Sequence, residues 1–347
     1  MELSNGAIAE LLALEADVAE GQRKRALGRA ASAALLWHEE ASELQAKGRP
    51  FTDLEYVGPG IARRLERWIK DPPDVPESPP QRSGFNTFAA ARRTVAADPS
   101  WRDELRGDLQ MHTVYSDGKA ALKDMADGGA LLGYDYISIT DHSGGLRVPR
   151  GMHEPELAAQ GRAIGELNDE LVAGGAGLTV LRSIEMNLDG DGAGDIDPAA
   201  LGELDLVLGS FHSDLRSTDD VTERYLAALR NPDVAILGHP RTRRYSRRPG
   251  LIADWDRIFE VAASLDKALE INSHPHRQDL SIDLLEGARE AGVRLSIGTD
   301  AHDPSELRFV DMSLAAAMIA GIPKERIVNF HDEHTVREWA RALRTAA

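Results

Sequence analysis

Five histidines and three carboxylates in this chain stand where short apolar runs end. The segment GDLQMHTVYSDG (107–118) puts His112 at the end of a strand-like run and Asp117 in a Ser-Asp-Gly turn. The same grammar recurs in ISITDHS with Asp141 and His142, LTVLRSIE with Glu185, LVLGSFH with His212, AILGHP with His239, and LSIGTDAH with Asp300 and His302. Imidazole and carboxylate bind borderline divalent cations, and the chain has no cysteine that could supply thiolate. A lone histidine at a strand end is more often a satisfied core residue, but five of the chain's 11 histidines fall in this series. His112, Asp117, His142, Glu185, His212, His239, Asp300 and His302 are too many for the four ligands of one tetrahedral zinc. They predict two or three clustered divalent ions, and mixed N/O ligation suits zinc, manganese or iron. Such clusters hydrolyse phosphate esters: one ion lowers the pKa of a bound water while the others clamp phosphoryl and leaving oxygens.

These side chains are far apart in sequence, so a fold must gather them. Strands are expected near 107–113, 135–140, 178–185, 205–211, 234–238, 267–272 and 293–298, alternating with Ala/Leu-rich helical segments such as 119–132, 155–173, 219–230, 254–265 and 281–291. Seven strands alternating with helices predict an α/β fold with a parallel sheet closed into a barrel, where strand C-termini converge on one mouth.

The N-terminal part reads differently. Residues 5–47 carry apolar side chains at helical spacing, and Val57-Gly58-Pro59-Gly60 breaks one helix and starts another, with Ile61, Leu65 and Ile69 on one face. This helix-hairpin-helix pattern would expose backbone N–H groups at a helix N-terminus, with Arg63 and Arg64 nearby. It makes Gly58, Gly60, Arg63 and Arg64 candidates for contact with DNA phosphates. Residues 71–83, DPPDVPESPPQRS, hold five prolines and read as a stiff linker. The expected organisation is a small all-α helix-hairpin-helix domain over 1–70, a proline-rich linker and helical stem over 71–104, and the barrel over 105–347.

Composition narrows the function classes. The net charge of −17 argues against a broad nucleic-acid-binding face without excluding local contact. No stretch reaches the roughly 18 to 20 apolar residues of a membrane span, and no secretory leader pattern opens the chain. The expectation is a cytoplasmic protein with no membrane partner, its oligomeric state left open.

Taken together, DLxxHTxxSDG, TDHS, Glu185, FHS, GHP and GTDAH resemble the polymerase-and-histidinol-phosphatase (PHP) superfamily of metal-dependent phosphoesterases over roughly 105–330. SDGK (116–119), SGGLRV (143–148), GHPRTR (238–243), RRPG (247–250) and LEINSHPHRQDL (269–280) are most similar to the C-terminal domain of bacterial family X DNA polymerases. The N-terminal segment resembles the small helical domain of those polymerases, while a palm and fingers have no counterpart here. The resemblance implies a distorted seven-stranded β/α barrel. It implies that His112, Glu185 and Asp300 hold a first metal, that Glu185 bridges to a second held by His212 and His239, and that Asp117, His142 and His302 hold a third. Arg243 and Arg147 are implied as grips for substrate phosphate. Where the family has HxH at the end of the first strand, this chain has Gln110 before Met111 and His112, which weakens the first site.

The expected activity is hydrolysis of phosphate esters at nucleic-acid 3′ ends, as an exonuclease or 3′-phosphatase, with Glu185 central. A small-molecule phosphatase of the histidinol-phosphate type and a catalytically impaired DNA-binding module are the alternatives.

Overall fold

In the computed structural model, residues 3–145 and 151–345 are described. Helices α1 (Asn5–Asp17), α2 (Gly21–Ala34), α3 (Ala41–Ala46) and α4 (Pro59–Lys70) form the N-terminal part. Ser4 caps α1 by accepting the Ala7 N–H at 3.2 Å, which pairs one of the free donors of the first turn. Ile8, Leu12, Leu27, Leu35, Leu44 and Leu65 make a core of their own, covered from the larger part by Tyr245.

The segment before the Gly58 turn differs from expectation. It folds as a 3-10 turn over Phe51–Asp53, where the spacing predicts an α-helix. Only α4 follows as a regular helix, entered through Pro59 in its first turn.

The linker is fastened to this part. Arg82 pairs with Glu10 at 2.9 Å, both side chains being 5% exposed, and with Asp17 at 3.0 Å. Helix α5 (Phe88–Ala97), capped by Thr87, then leads into the α/β part.

Eight strands follow: β1 (Gly107–Met111), β2 (Tyr136–Ile139), β3 (Thr179–Arg182), β4 (Glu185–Leu188), β5 (Leu208–Phe211), β6 (Ile236–Leu237), β7 (Ala268–Asn272) and β8 (Arg294–Gly298). They form two parallel sheets, β1-β2-β3 and β4-β5-β6-β7-β8, so the expected count of seven strands in one barrel is corrected to eight in two sheets. The expected strand over 178–185 breaks at Ser183 and Ile184. Arg182 still pairs with Ile139 of β2, whereas Glu185 pairs with Leu208 of β5.

The sheets meet at two seams. His142 bridges Glu185, and Met111 bridges Ala301 just past β8. Helices cover the outer faces, and the strands are buried nearly throughout, as parallel strands are. Met111, Ile137, Val180, Leu269 and Leu295 pack in the cluster shared with the helices. Leu109, Tyr136, Leu181, Leu208 and Ile236 form a second cluster, closed by Val336 and Ala340 of the C-terminal helix Glu333–Thr345.

Candidate metal centre

The C-terminal ends of these strands bring all eight expected groups into one buried cluster around Glu185. Glu185 Oε1 lies 2.8 Å from His239 Nε2 and 3.2 Å from His212 Nε2. Its Oε2 lies 3.4 Å from His112 Nε2 and 3.3 Å from His142 Nδ1. Asp300 Oδ1 lies 3.2 Å from His112 Nε2, while Asp117 faces His302 Nε2 at 3.3 Å and His142 Nε2 at 3.6 Å. Two sets place one donor atom each within metal-binding reach of one another: His112, Asp117, His142 and His302, and His142, Glu185 and His212.

Local structure explains how the turns aim these groups. The buried Asp141 carboxylate accepts hydrogen bonds from Thr113 N and Oγ1, Ser116 Oγ and Gln160 Nε2, folding the 113–117 turn back so that Asp117 faces the cluster. His239 and Asp300 both adopt positive φ, +26° and +56°, which non-glycine residues accept only when surrounding contacts enforce it. The Asp300 N–H donates to the Gln110 carbonyl at 3.0 Å, and the His239 N–H to Glu270 Oε2 at 2.6 Å.

The electrostatics suit cations. Burial opposes ionisation of Glu185, yet the surrounding His142, His239 and His212 hold its pKa well below the usual carboxylate value. Burial likewise opposes ionisation of Asp300, but Arg277, whose Nε is 2.9 Å away, and the His112 hydrogen bond lower its pKa well below normal. Asp117 is also lowered, burial being outweighed by the His302 hydrogen bond and the charge of His112. For His112, burial is outweighed by the hydrogen bond it donates to Asp300 and the charges of Glu185 and Asp300, raising its pKa to about 9. Two buried carboxylates and the half-buried Asp117, all kept ionised, demand positive charge close by. Meanwhile both ring nitrogens of His212, with Nδ1 of His112, His142 and His239, are buried without a hydrogen-bond partner. Ionised carboxylates beside unpartnered imidazole nitrogens form a donor set that fits divalent ions.

Several expected residues fall elsewhere. Arg243 does not join the cluster: its guanidinium stacks on Phe85 at 3.8 Å and donates to the Ser83 carbonyl, pinning the linker to the α/β part. Arg147 lies outside the described residues. Arg64 is taken up by Glu15 at 2.9 Å and by the Gly60 carbonyl, whereas Gly58, Gly60 and Arg63 are exposed on the N-terminal part. His153 is exposed at the start of the helix Glu154–Ala173, and His274 sits at the edge of the centre near Asp300 and Arg277.

Sequence reasoning missed Glu270 and Arg277. Glu270 is wholly buried, and its pKa is pushed well above normal, burial being the first cause and the charge of Asp300 adding to it. The Gln110 amide lies against it: with its nitrogen turned to the carboxylate it donates to Glu270 Oε2 at 3.1 Å. Asn272 Nδ2 sits 3.0 Å from the same amide end and 3.3 Å from Asp300 Oδ2. Gln110 is therefore not an idle replacement for a ligand; it is built into a floor under Asp300 and His239. The available signal was the apolar run around LEIN, where a glutamate inside a buried strand requires a partner.

No family model matches the chain. "DNA polymerase/3'-5' exonuclease PolX" of Bacillus subtilis is 36% identical over 227 residues, covering 65% of this chain and 39% of that protein. "Probable phosphatase TTE1963" of Caldanaerobacter subterraneus is 28% identical over 208 residues, covering 57% of this chain and 76% of that protein. This chain is a homologue of PolX and of PHP-family phosphatases. The chain spans well under half the length of the Bacillus protein. The solved histidinol phosphate phosphatase of Lactococcus lactis, complexed with zinc, L-histidinol and phosphate, overlays with a TM-score of 0.43 at 18% identity, covering 70% of this chain and 93% of that one. Among the described residues no helix is long and apolar enough to cross a membrane.

Proposed function

We propose that the chain is a cytoplasmic metal-dependent phosphoesterase that hydrolyses phosphate esters at nucleic-acid 3′ ends. The observation that carries this reading is Glu185, whose two oxygens are shared among four imidazoles. His112, Glu185 and Asp300 would hold one ion, Glu185 with His212 and His239 a second, and Asp117, His142 and His302 a third. Zinc, manganese or iron bound there would supply a water of lowered pKa and positive charge for the phosphoryl oxygens. The chain's own residues do the rest. Glu185 keeps the donor set anionic, Asn272 and Arg277 orient Asp300, and Glu270 fixes the His239 backbone. Arg277, whose Nε is 2.9 Å from Asp300, is better placed than Arg243 to meet substrate phosphate.

The relationship to a named exonuclease favours nucleic-acid ends; the relatives named phosphatases favour a soluble monoester as the second reading. Assay of metal-loaded protein on bis(p-nitrophenyl) phosphate, on a 3′-phosphorylated oligonucleotide and on L-histidinol phosphate separates them. Faster turnover of the oligonucleotide supports the main reading, preference for L-histidinol phosphate the second, and no turnover of any of the three a non-catalytic DNA-binding module.

A further inference from the structure

Arg243 is 3% exposed, yet among the described residues it forms no ion pair, and its guanidinium donates only to the Ser83 carbonyl. Arg82 is also buried and shows the usual remedy, being neutralised by Glu10 and Asp17. A buried cation without a counter-charge is costly, so the surroundings of Arg243 call for an anion.

Arg243 and Arg241 line a cleft of about 950 Å³ between the linker turn at 77–86 and the helix Ile282–Glu290. Arg241 Nε is buried without a partner, and its Nη1 reaches the Ser281 hydroxyl at 3.3 Å. Asp279 and Asp283 act on Arg243 from beyond pairing distance, while burial and the Arg241 charge lower its pKa to about 10. Ser281 stands at the N-cap of the helix without capping it through its side chain, and Ile282 and Asp283 of the first turn line the cleft. First-turn N–H groups have no partner within a helix and favour negative charge. Two arginines and a helix N-terminus thus share one cleft, in a chain whose net charge is −17. None of the eight expected metal-binding groups lines it, so this is a seat apart from the centre around Glu185.

The remaining walls say what the anion is attached to. Pro79 and Pro80 of the linker, with Ile282 and Ile319, offer apolar faces. Glu77 and Asp283 are exposed carboxylates at the rim, which accept hydrogen bonds from hydroxyl or amino groups and repel further negative charge. An acidic peptide, with charges repeated along its length, would meet both. A compact body bearing one phosphate avoids them.

We propose that this cleft binds a small phosphomonoester with a partly apolar, hydroxyl-bearing body, the class of a nucleoside monophosphate. Arg241 and Arg243 hold the phosphate, for which guanidinium offers paired donors, and the body rests on the linker prolines. Bound there, the ligand fastens the 77–86 turn to the segment that follows His239. The proposal goes beyond the phosphoesterase reading and does not depend on it, since no metal ligand takes part.

The test is isothermal titration calorimetry of the chelator-treated full-length chain with adenosine 5′-monophosphate, so that no metal is present to take the phosphate. The expected result is a single site with a Kd of about 1 mM or tighter, weaker binding of inorganic phosphate, and none of adenosine. Arg241→Gln/Arg243→Gln should raise the Kd about tenfold or more, and Arg230→Gln/Arg341→Gln, which removes two exposed charges elsewhere, should leave it unchanged. Arg243 also pins the linker, so circular dichroism melts check that the double variant is folded. Ile319→Glu, which adds a negative charge at the exposed rim, is a second reading and should weaken binding as well. The monophosphate should also slow protease cleavage in the 71–83 segment of the parent chain. Absence of binding by the parent chain, binding unchanged in both cleft variants, equal weakening by the control pair, adenosine binding as tightly as its monophosphate, or equal affinity for a tetraglutamate peptide overturns the proposal.

Discussion

Glu270 Oε2 accepts the backbone N–H of His239 at 2.6 Å, and His239 sits at φ +26° with its Nε2 2.8 Å from Glu185. A buried carboxylate thus fixes the backbone that aims a metal-type ligand. Glu270→Ala would leave the His239 N–H and the Gln110 amide unpaired in the interior, a cost of about 1–3 kcal/mol. Loss of support behind a ligand also lowers metal affinity on the order of 10–100-fold. Zinc titration with a competing chelator and a thermal melt measure both. A variant with unchanged metal affinity would make Glu270 a structural residue only.

Glu185→Gln keeps the shape of the side chain but removes the charge shared by four imidazoles. Activity on bis(p-nitrophenyl) phosphate is expected to fall below a tenth of the parent rate, more than about 1.4 kcal/mol of barrier, with the fold retained. A rate within tenfold at normal metal content would remove Glu185 from the bridging position.

Much of this centre is legible in the sequence because its ligands sit at strand ends, where an apolar run stops on a polar residue. His112, His142, His212 and His239 announce themselves that way, and the parallel α/β architecture follows from the alternation of runs. The break between β3 and β4 does not, since 178–185 reads as one strand. The break lies in hydrogen-bond register, with the Ser183 hydroxyl turned to the Leu206 carbonyl at 2.9 Å. The direction of Arg243 is equally hidden. It follows Thr242, at φ +57°, and a backbone reversal of that kind decides which side of a loop a side chain takes. Glu270 was overlooked because a strand-interior glutamate shows its purpose only when Gln110 and the His239 N–H are seen beside it.

The linker contact is testable through Arg82. Its guanidinium pairs with Glu10 where both side chains are buried, so Arg82→Ala leaves a buried carboxylate uncompensated. Such a loss costs about 3–5 kcal/mol. Urea unfolding of the full chain is expected to show a lower midpoint, and protease cleavage in the 71–83 segment to become faster. An unchanged midpoint would mean that the linker is not held by this pair.

Lys267 provides a pH test far from the metal centre. Burial lowers its pKa to about 8, its ammonium being lodged among the Asn231, Pro232 and Val234 carbonyls. An unfolded lysine ionises near pKa 10.4, so between these values the unfolded chain binds more protons than the folded one. Stability contributed through this group therefore rises with pH from about 8 to about 10.4. The difference in unfolding free energy between the parent and Lys267→Met should carry that slope, and a flat difference would show that Lys267 keeps its ordinary pKa.

The number of ions that the cluster around Glu185 takes decides whether the centre is multinuclear. Elemental analysis of protein loaded with zinc or manganese and then desalted measures this directly. Two or more ions per chain are expected, falling in Glu185→Gln, with phosphoesterase activity lost on chelation and restored by the metal. At most one ion per chain after loading, or activity indifferent to its removal, would contradict the multinuclear centre.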